Sequence, residues 1–173
     1  EGCTNLNTVT IISPSKISRI GDGAFRGCSS LSKIEIPQSV VELGWNVFTG
    51  CSSLVEISIP SSVEEVKYNV FSGCLSLEKV TIDPYRTKYS TQTFDNLNSL
   101  THLSFGSSVT SIQFVYHLFE NFRKISMQPS VIQIGKNSFS GCVKLSEISL
   151  PSSVTSIGAS CFSGCSALRQ ISI

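Results

Sequence analysis

Histidine is nearly absent from this chain. Only His102 and His117 occur among 173 residues. No nucleophile elbow, phosphate-cradling glycine loop or metal-binding helical motif stands beside them. Gly21-Asp22-Gly23 is a turn pair of glycines rather than a nucleotide loop. An enzyme is therefore the least supported class, and no cofactor is expected. An excess of one charge is lacking too: 13 Lys and Arg face 12 Asp and Glu, for a formal net charge of +1. A nucleic-acid binder should carry a basic stripe, and Arg123-Lys124 is too short to be one. No apolar run is long enough to span a bilayer. A charged-then-apolar leader is missing, as is any Asn-x-Ser/Thr glycosylation acceptor. Seven cysteines fall below the density of a disulfide scaffold, and their odd number leaves at least one thiol unpaired within the chain.

What the chain has is a period. Phe48-Thr49-Gly50-Cys51-Ser52-Ser53-Leu54 recurs as Phe25 to Leu31, Phe71 to Leu77, Phe139 to Leu145 and Phe162 to Leu168. The leucine position reads Leu6, Leu31, Leu54, Leu77, Leu100, Phe122, Leu145 and Leu168, in steps of 25, 23, 23, 23, 22, 23 and 23 residues. Three residues on stand Val9, Ile34, Ile57, Val80, Leu103, Ile125, Ile148 and Ile171. Two further on stand Ile11, Ile36, Ile59, Ile82, Phe105, Met127, Leu150 and Ile173. Two apolar residues around one polar residue is strand alternation. Each repeat is thus expected to supply one short strand, such as Lys33 to Ile36.

Proline often ends that strand, at Pro37, Pro60 and Pro151, where its missing N–H suits a corner. A second apolar pair follows, as in Val40 and Leu43 or Val63 and Val66. Its β-branched bias predicts a second short extended segment on the opposite side. Gly21, Gly44, Gly135 and Gly158 come next and are expected to supply a positive φ. A brief helical turn should then carry the Phe inward. Gly27, Gly50, Gly73, Gly141 and Gly164 sit where a left-handed helix exit wants glycine.

Six cysteines share one repeat position: Cys3, Cys28, Cys51, Cys74, Cys142 and Cys165. Leu97 and Phe119 stand at the matching places elsewhere. A position that accepts Cys, Leu or Phe is a packing position, so a ladder of buried free thiols is expected. Cys161 and Cys165 form the only close pair, with no histidine nearby in sequence, so no metal site is expected.

One repeat has too little apolar area to fold alone. Stacked coils would set like residue over like at about 4.8 Å, in continuous columns. Two repeats in a row depart from the pattern. Arg86 and Tyr89 replace the second apolar pair, Asn96-Leu97 replaces Gly-Cys, and Tyr116 takes a Phe place in a repeat one residue short. Drift with compensating repacking and a functional bump both remain open.

The unit Leu-x-x-Ile-x-Ile-Pro-x-x-Val-x-x-Ile-Gly-x-x-x-Phe-x-Gly-Cys-x-x-Leu resembles the 23-residue leucine-rich repeat of the BspA-like, or Treponema-type, family. The likeness covers essentially the whole chain and is weaker between Asp83 and Met127. It implies a curved solenoid, with parallel strands on a concave face and second strands and brief helical turns opposite. Residues 1–173 would form one solenoid of about eight repeats. Both ends fall in mid-repeat, so the chain reads as a piece of a longer one, able to associate end to end. The resemblance further implies a surface or secreted protein that adheres to host matrix proteins or cells.

A regular solenoid offers a surface. Its outward strand residues include Lys33, Glu35, Glu56, Ser58, Lys79, Thr81, His102, Ser104, Lys124, Ser126, Glu147 and Ser149. His102 is expected to point outward beside Ser104, and both histidines read as surface residues. The face is polar and mixed in sign. It suits either a protein-binding face or a plain solvated one, and the segment either a binding module or a stalk.

Overall fold

The computed structural model describes residues 1–83, 88–89, 93–94, 97–112 and 121–173. Its strands fall into two alternating series. The first holds β1 (Thr8–Val9), β3 (Lys33–Ile34), β5 (Glu56–Ile59), β7 (Lys79–Ile82), β9 (His102–Phe105), β11 (Lys124–Ser126), β13 (Glu147–Ser149) and β15 (Gln170–Ser172). The second holds β2 (Arg19–Ile20), β4 (Glu42–Leu43), β6 (Glu65–Val66), β8 (Lys88–Tyr89), β10 (Ser111–Ile112), β12 (Gln133–Ile134) and β14 (Ser156–Ile157). First-series ladders join β1 to β3, β5 through β7 and β9 to β11, and β13 to β15. Second-series ladders join β2-β4-β6-β8 and β10-β12-β14. Every one of these pairings is parallel and links a strand to its counterpart one repeat away. β3 and β5, and β11 and β13, remain packed neighbours across the gaps between ladders. The chain is a parallel β-solenoid.

Register keeps like over like. Ile57 lies opposite Val80, Val80 opposite Leu103, and Leu103 opposite Ile125. The repeat that is one residue short therefore keeps the column. Leu31, Leu54, Leu77 and Leu145 are fully buried. Phe25, Phe48, Phe71 and Phe94 stack face to face, with ring centroids 5.5–5.8 Å apart and planes within 10°. The spacing exceeds the inter-strand distance because the rings are offset, the geometry their quadrupoles favour. Of the second apolar pairs, Ile17 and Ile157 stay 44% exposed. Both sit at the outer edges of the second-series ladders, Ile17 just before β2 and Ile157 in β14.

The cysteine column is buried at Cys28, Cys51, Cys74 and Cys142, and Leu97 is buried at the same position. All seven cysteines are free, and Cys3 is exposed. The thiols of this column do more than fill space. Cys51 Sγ donates to the Phe25 carbonyl, Cys74 Sγ to that of Phe48 and Cys165 Sγ to that of Phe139, at 3.0–3.1 Å. Each bond reaches back one coil, so the thiol fastens two coils together. Burial pushes the thiols of Cys51 and Cys74 up to about 12 and that of Cys161 up to about 11. They stay protonated, and so remain donors, at neutral pH.

The segment before each cysteine is not a helical turn. It is a run of two tight turns, with Thr49 N–H bonding Asn46 O and Cys51 N–H bonding Phe48 O. The alternate amides leave the coil: Asn46, Phe48 and Gly50 donate to Tyr68, Val70 and Ser72 of the next one. A helix would keep those donors to itself, and the coils would lose one of their connections.

The glycine assignments divide. Gly50 has φ +75° as expected, and its equivalents share the left-handed region. Gly21, Gly44, Gly135 and Gly158 do not. The positive φ falls two residues later, at Gly23, Asn46, Asn69, Asn137 and Ser160. Gly44 is required for space instead: a Cβ there would run into Asp22, whose backbone N would lie 2.8 Å away.

Serine supplies a further set of inter-coil links. Ser62 Oγ donates to Val40 O, Ser130 Oγ to Val109 O and Ser153 Oγ to Val131 O, at 2.6–2.9 Å. Each serine precedes the first valine of a second apolar pair. Ser39 holds the same place, yet its Oγ is buried with no hydrogen-bond partner.

In the irregular middle, β8 sets Tyr89 opposite Val66, so its backbone keeps the register of the second pair. Arg86, Asn96 and residues 113–119, with Tyr116, His117 and Phe119, lie outside the described residues.

Candidate functional site

Strand alternation turns every second side chain of the first series away from the core. Parallel register then lines these side chains up in columns. In the central ladder one column reads Glu56, Lys79, His102, Lys124, and its neighbour reads Ser58, Thr81, Ser104, Ser126. Lys33 on β3 lies opposite Thr8 of β1, and Glu35 follows just beyond β3. Glu147 and Ser149 on β13 pair with Gln170 and Ser172 of β15. Eight of the twelve expected residues thus share one continuous ladder; Lys33, Glu147 and Ser149 lie on separate ladders and Glu35 just past the end of one.

Burial differs along the face. Glu56, Ser58, Lys124, Glu147 and Ser149 are exposed, whereas Lys79, Thr81, His102, Ser104 and Ser126 are half-buried. Charge pairing is loose. Lys33 Nζ is 3.4 Å from Glu35 Oε1, and Lys79 Nζ is 3.9 Å from Glu56 Oε2, with Lys33, Glu35 and Glu56 largely open to water and Lys79 partly so. Such pairs contribute little to stability and separate at little cost.

His102 stands beside Ser104 as expected, but it is half-buried and has a partner on the next strand as well. Its Nε2 lies 2.8 Å from Ser126 Oγ on the next strand and 3.4 Å from Ser104 Oγ on its own. Partial burial, then the ammonium groups of Lys124 and Lys79, hold the imidazole below its usual range. It is neutral at pH 7, between two cations. Strand alternation foretold its direction, but not the cross-strand bond to Ser126.

Beyond β11 the face deepens into a groove of about 440 Å³, lined by Lys124, Ser126, Met127, Glu147, Pro151 and Gln170. Two exposed aromatics, Trp45 and Tyr68, lie away from this face, at one repeat position on neighbouring coils. Among the described residues, no group of three His, Cys, Asp or Glu side chains could hold a metal ion, and no helix is long and apolar enough to cross a membrane.

A stack of parallel coils with columns of leucine, phenylalanine and cysteine defines a leucine-rich-repeat solenoid. The chain belongs to the BspA-type leucine-rich-repeat family, whose model matches residues 1–122 and 87–173 in six copies. It is similar to a leucine-rich repeat protein from Bacteroides ovatus, at 27% identity and a TM-score of 0.58, over 98% of this chain and 49% of that one. The chain thus spans about half the length of that protein. A leucine-rich repeat protein of T. pallidum matches at 26% identity and a TM-score of 0.58, over 94% of this chain and 77% of its own. A leucine rich cell surface protein from Faecalibacterium prausnitzii matches at 27% and 0.50, over 95% and 46%. No curated protein sequence matches the chain significantly.

Proposed function

We propose that this chain is a non-catalytic recognition module, one solenoid of about eight repeats. It binds a partner protein on the polar face of its first series of strands. The observation that carries this reading is the central ladder. Four strands present two unbroken polar columns, with mixed charge and hydroxyls, on a rigid support. Rigid, preorganised surfaces lose little freedom on binding. Display at a cell surface or in secretion fits the Faecalibacterium prausnitzii relative, which is described as a cell surface protein. Proteins of the host matrix or host cell surface are the expected partners.

The test is binding of the purified chain to immobilised fibronectin and to intact epithelial cells. It is repeated with a variant carrying alanine at Lys33, Glu35, Glu56 and Lys79. None of the four side chains belongs to the core, and each reaches solvent, so the variant should keep its urea midpoint. Wild-type binding that falls at least about tenfold in the variant is expected, since charge pairs at an interface carry this much. No binding by the wild type, or undiminished binding by the variant, would overturn the proposal.

A further inference from the structure

We propose that the centre of the polar face is a site for a short acidic peptide segment with basic flanks, lying across the strands. This rests on the reading that the face binds protein. The register of β5, β7, β9 and β11 sets Glu56, Lys79, His102 and Lys124 side by side. β13 packs against β11 and adds Glu147 next in line. Along the face the charges therefore run negative, positive, neutral imidazole, positive, negative.

Strand spacing converts that order into a ruler. At about 4.8 Å per strand, the backbones of Lys79 and Lys124 lie about 10 Å apart, with His102 midway. A carboxylate above His102 is within reach of both ammonium groups, since each lysine carries a flexible four-carbon stem. The hydroxyls of Ser104 and Ser126 already sit at His102 Nε2 and can turn towards the same anion. Glu56 and Glu147 are about 19 Å apart by the same spacing, which an extended peptide covers in about six residues. Their carboxylates favour basic residues at both ends of that peptide. They also disfavour a uniform polyanion, so a sulfated glycan fits this face less well than a peptide of mixed charge. The Lys79–Glu56 contact, at 3.9 Å, is open enough to yield to a ligand.

The imidazole makes the site sensitive to acid. The charges facing His102 are Lys79 from β7 and Lys124 from β11, while β9 itself adds only Ser104. Both cations disfavour its protonation in the free chain. An anion seated between them reverses that bias, so binding takes up a proton. Affinity must then rise as pH falls, as long as the ligand's carboxylates stay ionised.

The experiment titrates ¹⁵N-labelled chain at low salt with the capped hexapeptide Lys-Gly-Glu-Glu-Gly-Lys, at pH 7.5 and 5.5. Its charge-reversed counterpart Glu-Gly-Lys-Lys-Gly-Glu and a heparin hexasaccharide are run in parallel. Amide shifts confined to β5, β7, β9, β11 and β13 are expected. Affinity should rise at least about 3-fold on going to pH 5.5. Lys124→Gln should weaken it about 3- to 10-fold, and His102→Gln should abolish the pH dependence. Equal binding of the reversed peptide, tighter binding of the hexasaccharide, or no shifts on these strands would each overturn the proposal. Loss of fibronectin binding in the fourfold alanine variant, with no peptide shifts, would sink this inference and leave the protein-binding reading standing. Failure of both would sink both.

Discussion

Phe48→Ala should cost the solenoid about 3–5 kcal/mol, the range for emptying a buried aromatic site. Phe48 is fully buried. Its ring is sandwiched between Phe25 at 5.7 Å and Phe71 at 5.8 Å, with planes within 5° of both. Truncation removes the transfer free energy of the ring and both stacking contacts. The hole cannot close easily, because the backbone on each side is pinned to its neighbour: Phe48 N–H to Val70 O, and Phe25 N–H to Val47 O. Urea melts followed by circular dichroism should show a lower midpoint with an unchanged slope. A loss under about 1 kcal/mol would mean that the aromatic column does not hold the coils together.

Gly44→Ala should be destabilising by about 3 kcal/mol, at the upper end for overpacking, because the atoms in the way belong to backbone. The added methyl would meet Asp22 Oδ1, with Asp22 N at 2.8 Å and Gly21 C at 3.0 Å. Asp22 cannot simply turn aside, since its Oδ1 accepts the Trp45 N–H at 2.9 Å. Gly21→Ala is the control. It occupies the same repeat position, but a Cβ there meets nothing within 4 Å. That change should be near neutral or slightly stabilising. The pair separates two explanations of one glycine position. Were a left-handed backbone the reason for glycine, both substitutions would be harmful; if the approach of the preceding coil is the reason, only Gly44→Ala is.

That glycine also shows where the sequence stops being legible. Columns of Phe, Cys, Leu and Ile could be read directly, because a step of about 23 residues repeats and the same positions stay apolar in each repeat. The second strands were legible from β-branched pairs such as Val63 and Val66. The turns were not. Their alternate amides bond to another coil, a connection that no window of local sequence contains. The true left-handed positions did leave a trace, in the asparagines at Asn46, Asn69 and Asn137. Asparagine tolerates positive φ better than most residues. The serine before each valine was a similar trace of inter-coil bonding, as at Ser62 and Ser153.

The candidate face was legible as a list of outward residues, because alternation fixes direction. Its grouping was not. The break between β3 and β5 sets Lys33 and Glu35 apart from the central ladder, although the repeats on either side look alike in sequence. His102 read as a plain surface residue because its partner Ser126 is 24 positions away. Only the register of β9 against β11 brings the two together, and with them the pair of lysines on either side.

Register is also what one measurement can test most directly. Nuclear Overhauser contacts between backbone protons of the labelled chain report which residues of adjacent strands face each other. Contacts of the parallel kind are predicted linking Ile57 with Val80 and Val80 with Leu103. The same coupling should continue from Leu103 to Ile125, across the shortened repeat. A shift of one residue in any of these pairings would turn the core residues of that coil outward and contradict the account, as would an antiparallel pattern.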